Sequence, residues 1–266
     1  MIENLAYHRF SRKVLALTGI DLDRYKSTQM ERRLQTMMKR VGVDGYGPYE
    51  ALLERDPKAI KELKDFITIN VSEFFRNPEK FDELKSAVLP GLLKSRGSLR
   101  IWSAGCSNGS EPYSVSIVLD EIDPAGHHRI LGTDLDEEIL KVARAGAYGE
   151  RDLKNVDERR RGRYFRRIGD MWHVTQGVMS RIQFEGQNLL TAEFGRDFDL
   201  ILCRNVVIYF TEETKDDLYR RFHKALRPGG ILFVGGTESI LKAREMSFET
   251  VSPFFYRKVP GGPGGS

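Results

Sequence analysis

Leu99-Arg100-Ile101-Trp102-Ser103-Ala104-Gly105-Cys106-Ser107-Asn108-Gly109-Ser110-Glu111-Pro112-Tyr113-Ser114 reads as a buried strand, a glycine turn and the start of a helix. Pro112 falls just inside the helix start, where its missing N–H costs nothing. Gly105 and Gly109 let the backbone pass close to a ligand. The end of a parallel strand is where open α/β sheets hold nucleotide-like molecules. The spacing is not Gly-x-Gly-x-x-Gly, which argues against a dinucleotide. Alone, the segment fits a nucleotide-type site and plain turn chemistry equally well.

From Ser98 onward strands and helices alternate. Strand candidates cover 99–103, 129–133, 182–187, 198–203 and 230–235, with helices at 111–121, 136–146 and 212–226 between them. Such alternation predicts an α/β fold with a parallel, doubly wound sheet. Phe248, Val251, Phe254, Phe255 and Tyr256 make 246–258 a pair of edge strands closing that sheet. Residues 148–181 interrupt the pattern; they are rich in arginine, and Met171-Trp172-His173-Val174 reads as a strand of a small inserted β subdomain.

Before Ser98 the pattern is helical from residue 1 to about 95. Asp23 to Val41 reads as one amphipathic helix, closed by Gly42 and Gly45. Its apolar residues are Tyr25, Met30, Leu34, Met37 and Met38; its basic ones include Arg24, Lys26, Arg32, Arg33, Lys39 and Arg40. Further helices cover 47–55, run from Asp56-Pro57 toward Ile67, and open at Pro78 to reach Leu89 or beyond. Pro90, Gly91 and Gly97 mark the passage to the sheet. The expected division is a helical domain at 1–90, a sheet domain at 91–258 with its insert near 148–181, and a flexible tail at 259–266.

Bulk properties narrow the function. The 266 residues suit one large or two small domains, and 40% hydrophobic with 30% charged residues describes a soluble globular chain. With only Cys106 and Cys203 there is no disulfide framework, and a reducing cytoplasm is expected. Charge from Glu3 onward is unlike a signal peptide. No apolar run approaches the roughly 20 residues of a membrane span. His8, His127, His128, His173 and His223 lack metal-ligand spacing, so no metal is expected. A net charge of +4 fits simple solubility.

Several strand ends carry polar residues on the side of the glycine turn. Asp134 closes the second strand, where a carboxylate can take both ribose hydroxyls or cap the helix near Asp136. Gln187-Asn188-Leu189 closes the third; it can read an adenine edge or form a turn. Arg204 and Asn205 close the fourth and are awkward to bury without partners. In Ile69-Asn70-Val71-Ser72-Glu73-Phe74-Phe75-Arg76-Asn77, two phenylalanines suggest a buried anchor with Arg76 as its charged reach; the alternative is a capping turn around Ser72. Cys106 and Cys203 have no accompanying base and read as small apolar fillers.

Asn70-Val71-Ser72-Glu73-Phe74-Phe75-Arg76, Trp102 to Ser114, and Cys203-Arg204-Asn205-Val206-x-Ile208-Tyr209-Phe210 together resemble the CheR family of chemotaxis receptor glutamate O-methyltransferases. The likeness runs from about residue 10 to 258. One departure is visible: the family often has Gly-Glu-Glu-Pro where this chain has Gly109-Ser110-Glu111-Pro112, and the glutamate that matters aligns with Glu111. The resemblance implies a Rossmann-like sheet and S-adenosylmethionine (SAM) as methyl donor. It places Asn70, Ser72, Arg76, Glu111, Asp134, Asn188, Leu189, Arg204 and Asn205 around SAM. Arg76 and Tyr209 would be the catalytic residues, nearest the sulfonium and the incoming carboxylate.

The implied acceptor is a glutamate on the cytoplasmic helical bundle of chemotaxis receptors, converted to a methyl ester for sensory adaptation. The enzyme would be cytoplasmic and recruited to receptor arrays, with no nucleic-acid partner and no membrane insertion. Lys26, Arg32, Arg33, Lys39 and Arg40 would dock the acidic receptor helices; their bland reading is a solvated face. In some relatives the inserted subdomain holds a receptor C-terminal peptide. The short turn Ile168-Gly169-Asp170-Met171 favours a version without that tether, and the cluster Arg159 to Arg163 with Arg166-Arg167 faces receptor or solvent. An RNA methyltransferase is the first rival. Against it, Asn205-Val206-Val207-Ile208-Tyr209 lacks the Pro-Pro pair usual in base amino-methylating loops. A non-catalytic SAM-binding receptor module is the second, and would be expected to lose Arg76 or Tyr209.

Overall fold

The computed structural model describes residues 2–68 and 72–259, with side chains from residue 6 onward. Its contacts divide the chain into two compact units. The first is Met1–Ile69 with Ile208–Asp217; the second is Asn70–Val207 with Leu218–Ser266.

The first unit is helical: α1 (Ile2–Thr18), α2 (Ser27–Arg40), α3 (Tyr46–Arg55) and α4 (Pro57–Ile67). Phe10, Val14, Leu22, Leu34, Met37, Tyr49, Leu53 and Leu63 are fully buried within it. Asp56 starts α4 by accepting the Lys58 N–H at 2.9 Å, with Pro57 as the first helical residue. The expected single helix from Asp23 is shorter than its apolar pattern suggests. Asp21 caps a separate 3₁₀ turn, Leu22–Arg24, and Tyr25 forms a β-bridge with Phe210. Lys26 N–H donates to Tyr209 C=O at 2.9 Å, and Thr211 N–H to Arg24 C=O at 3.0 Å. Those backbone bonds tie residues 208–217 to this unit and delay the helix to Ser27.

The second unit opens with α5 (Pro78–Glu83) and α6 (Leu89–Ser95), joined through a π turn, Leu84–Val88. Pro90 therefore lies inside a continuous helical run rather than at its end. A proline mid-helix removes one N–H, and the wider turn before it, with Leu89 N–H on Leu84 C=O, absorbs the defect.

The sheet strands are β1 (Arg100–Ala104), β2 (Arg129–Asp134), β6 (Ile182–Gly186), β7 (Phe198–Cys203), β8 (Leu226–Val234), β9 (Phe248–Ser252) and β10 (Phe255–Lys258). Their order is β6-β2-β1-β7-β8-β10-β9. The first five are parallel and β10 is antiparallel to both its neighbours. Of these last two strands only β9 lies at an edge, β6 forming the opposite one; β10 inserts between β8 and β9, which corrects the expected pair of edge strands. This is a Rossmann-like sheet with one reversed strand. α7 (Ser110–Ile122), α8 (Glu137–Ala145) and α11 (Glu212–Ala225) connect the parallel strands. Residues 187–197, between β6 and β7, contain no helix. The sheet face there stays open as a groove of about 860 Å³, lined by Arg100, Arg129, Gln183 and their neighbours and by none of the expected site residues.

The insert is a three-stranded sheet of β3 (Ala147–Tyr148), β5 (Met171–Val174) and β4 (Phe165–Ile168), in that order, with α9 (Glu158–Tyr164) and α10 (Gln176–Met179) beside it in sequence. Beyond Val259 the expected flexible tail lies outside the described residues.

Candidate functional site

Four loops meet at the carboxyl edge of the parallel strands. The loop after β1 carries three left-handed residues, Gly105 (φ +78°), Ser107 (φ +49°) and Gly109 (φ +84°). A Cβ on Gly105 would stand 2.5 Å from Val206 Cγ2, so the β7 loop can approach only a glycine. Gly105 and Cys106 both donate their N–H to Thr133 C=O, at 2.8 and 2.9 Å. Ser107 N–H donates to Asp134 Oδ2 at 2.8 Å, joining the ends of β1 and β2.

Asp134 accepts the Asp136 N–H on its other oxygen at 3.0 Å. The helix cap is Asp136, which receives the Glu138 and Ile139 N–H groups, so Asp134 is not the cap of α8. Burial pushes the Asp134 carboxyl above its ordinary range, against the lowering pull of the Asp136 and Ser107 N–H bonds.

Glu111, in the first turn of α7, receives the Ser103 hydroxyl at 2.8 Å and the Arg204 Nη1 at 3.3 Å. Arg204 donates Nη2 to Arg76 C=O and Asn77 Oδ1, both at 2.9 Å. Its guanidinium lies 4.5 Å from the Phe233 ring centre. Burial lowers its pKa, and the Glu111 charge opposes that shift. The Arg204 Nε and the Asn205 Oδ1 are buried without a hydrogen-bond partner. Buried polar atoms are normally satisfied, so such orphans mark a place for a polar ligand.

The Ser72–Asn77 segment is held by its phenylalanines. Phe74 and Phe75 are at most 1% exposed. Phe74 meets the Tyr148 and Phe165 rings edge-on, and Arg160 lies 4.3 Å over the Phe75 ring. Phe75 N–H donates to Ser114 Oγ at 2.9 Å, fixing the segment to α7. Arg76 follows, half-buried, and Ser72 is half-buried too. Asn70 lies outside the described residues.

After β6, Asn188 Oδ1 accepts the Leu190 N–H at 2.9 Å, and Leu189 is 8% exposed. The Asn188 oxygen thus makes the turn that was one of its two sequence readings. Ser103, Glu111, Arg204 and Arg76 form one hydrogen-bonded chain, Asp134 is held separately by Ser107 and Asp136, and Tyr209 belongs to the first unit. There it is half-buried, beside a cavity of about 10 Å³ shared with Arg33, Met30 and Ile67.

The five expected docking cations separate. Arg32, Lys39 and Arg40 are exposed on α2, and Lys26 is half-buried. Arg33 donates to Phe66 C=O and lies 4.8 Å over the Phe66 ring, with burial lowering its pKa. Cys106 and Cys203 are buried, and burial drives both thiols well up, which removes them as nucleophiles.

Glu238 was missed in the sequence. It is 3% exposed and accepts the Asn205 N–H at 2.6 Å and the Gly235 N–H at 2.8 Å. The signal available was an acid three residues past the glycine that ends the fifth parallel strand. Among the described residues no group of three or more His, Cys, Asp or Glu can hold a metal, and no helix is long and apolar enough to cross a membrane.

Comparison with known proteins agrees with this geometry. Residues 70–254 match the family described as CheR methyltransferase, SAM binding domain, and residues 5–68 match CheR methyltransferase, all-alpha domain. A chemotaxis protein methyltransferase of Listeria monocytogenes is 42% identical over 254 residues, covering 95% of this chain and 97% of that protein. One of Listeria innocua has the same identity and coverage, 42%, 95% and 97%. Chemotaxis protein methyltransferase 1 of Pseudomonas aeruginosa is 37% identical over 235 residues, covering 84% of this chain and 85% of that one.

Proposed function

Because the chain belongs to the CheR methyltransferase family, with SAM as its methyl donor, we propose that it esterifies glutamate side chains on the cytoplasmic helical bundle of chemotaxis receptors. The observation that carries the reading is the Arg204–Glu111 pair at the carboxyl edge of the sheet, with the buried Arg204 Nε and Asn205 Oδ1 lacking partners. The relatives' names support the receptor as substrate.

Bound SAM supplies a methyl group on a positively charged sulfur. Asp134 would hold the ribose, Asn188 and Leu189 would flank the adenine, and Glu111 with Arg204 and Asn205 would meet the amino-acid end. Asn70 and Ser72 complete the surround. An acceptor carboxylate is already ionised at neutral pH, so no general base is needed. Opposite charges vanish as the ester forms, which favours a site that excludes water. The chain's main contribution is alignment, worth roughly 7–11 kcal/mol in well-oriented systems. Arg76 and Tyr209 steer the carboxylate rather than transfer protons. An arginine bound too tightly to the nucleophile would blunt it, so Arg76 orients it from the side.

The exposed cations of α2 meet the acidic receptor helices, and the helical unit serves as the docking domain. The enzyme works in the cytoplasm at receptor arrays, without a nucleic-acid partner. The test is tritium-labelled SAM with receptor-rich membranes. Base-labile label on receptor protein is expected; label on RNA overturns the reading.

A further inference from the structure

We propose that Glu238 is a positioning residue for the methyl donor: its carboxylate holds the Asn205 turn in the backbone conformation that presents Arg204 and Asn205 to SAM. The inference rests on the SAM-dependent reading of this site. β7 and β8 are neighbours, with Cys203 opposite Val234. Just past that pair the two chains diverge into separate loops. One carboxylate oxygen, Oε2, bridges them by accepting both the Asn205 N–H at 2.6 Å and the Gly235 N–H at 2.8 Å.

The bridge fixes a turn in which Asn205 has φ +61°, a left-handed conformation open to Asn more than to most non-glycine residues but still one of several it can adopt. Glu238 is itself fixed. Its N–H donates to Gly235 C=O at 3.0 Å, and its C=O receives the Tyr219 hydroxyl at 3.4 Å. Gly235 has no room for a side chain: a Cβ there would collide with Glu238 Oε2 and stand 2.9 Å from Asn205 N. Two polar atoms of the same turn, Arg204 Nε and Asn205 Oδ1, are buried without partners. A rigid turn carrying unsatisfied polar atoms is preorganised for a ligand that satisfies them.

The Glu238 charge also opposes, weakly, the lowering of the Arg204 pKa by burial, so a role through charge must be separated from a role through geometry. The separation is possible because a single oxygen makes both bonds. In Glu238→Gln the amide oxygen can take the place of Oε2 and accept both N–H groups, while the charge is gone. In Glu238→Ala both are lost.

S-adenosylhomocysteine binding is measured by calorimetry on the full chain, with KM for SAM and kcat from receptor methylation. Glu238→Gln is expected to stay within about threefold of wild type in affinity. Glu238→Ala is expected to lose tenfold or more, through KM for SAM rather than kcat. A Gln variant as weak as the Ala variant overturns the proposal in favour of charge, and an Ala variant that binds like wild type overturns it outright. If Glu238→Ala does not fold, Gly235→Ala disturbs the same bridge from the other side and is expected to raise KM for SAM; an unchanged KM there overturns the proposal. Wild-type protein that takes up no S-adenosylhomocysteine fails the parent reading instead.

Discussion

The Arg204 guanidinium reaches the Glu111 carboxylate at 3.3 Å, with side chains 2% and 14% exposed. This pair joins the β7 loop to the first turn of α7. Through its second nitrogen Arg204 also holds the Arg76 carbonyl, so three segments far apart in sequence share one charge. Removing one member of such a buried pair leaves the other charged without compensation, a loss of about 3–5 kcal/mol. Glu111→Ala is therefore expected to lower the unfolding free energy by that order, read from urea denaturation, and to weaken S-adenosylhomocysteine binding in the folded fraction. Unchanged stability would mean that water, not Glu111, neutralises Arg204.

Much of this was legible. The strand-turn-helix at Leu99–Ser114 carries its own chemistry: an apolar run, glycines where φ is positive, and proline near the helix start. The burial of Phe74 and Phe75 followed from two adjacent aromatics between Glu73 and Arg76. What stayed hidden depends on partners distant in sequence. Asp23 to Val41 has a helical pattern, but backbone bonds to 209–211 interrupt its first turn. Pro90 is a breaker by local rules, yet a π turn accommodates it. Arg33 and Arg32 are adjacent and chemically equal; only the Phe66 carbonyl and ring make one of them structural. Glu238 has no motif of its own, because its meaning lies in Asn205, 33 residues away.

The two arginines should separate in experiment. Arg32→Glu and Lys39→Glu reverse exposed charges, so receptor methylation is expected to weaken severalfold, most at low salt, with S-adenosylhomocysteine affinity unchanged. Arg33→Glu instead removes a donor from the Phe66 carbonyl and a ring contact, and is expected to lower the melting temperature. Receptor methylation insensitive to Arg32→Glu would move docking off this helix.

Arg76→Ala tests the steering role. The Arg76 carbonyl, which binds Arg204, is retained in alanine, so folding should be preserved. Methyl transfer is expected to fall at least a hundredfold with a smaller change in SAM affinity, measured by initial rates at saturating SAM. Wild-type turnover would remove Arg76 from the reaction.

Asp134 gives the site an acid limit. Its folded pKa is raised by burial, so the carboxylate takes a proton at milder acidity than an exposed aspartate. On the proposed ribose role, protonation removes acceptor capacity from the carboxylate, and S-adenosylhomocysteine affinity is expected to fall as pH drops through that raised value. For folding the sign is opposite. The ionised form is disfavoured in the folded state, so Asp134's own contribution to stability is present below the unfolded pKa and lost as pH rises through the folded one. The loss of binding should therefore precede acid unfolding, and calorimetry beside a thermal melt at each pH distinguishes them. Binding and unfolding that move together would contradict it.

Gly109→Ala probes the turn that brings the loop past the ligand. At φ +84° an alanine is strained, and its Cβ would sit 2.9 Å from Ala143 Cβ, 3.2 Å from Ala143 Cα and 3.0 Å from Phe184 Cζ. Strain and crowding each carry about 1–3 kcal/mol, so a loss of at least about 2 kcal/mol is expected with weakened SAM binding. Gly162→Ala is the matched control, since Gly162 is an exposed residue of α9 with nothing within 4 Å of its added Cβ. It is expected to gain about 0.5–1 kcal/mol, because glycine is the poorer helix former. Denaturant midpoints moving in opposite directions for the two variants check the argument; a tolerated Gly109→Ala would show that α8 yields and that the turn is not confined by it.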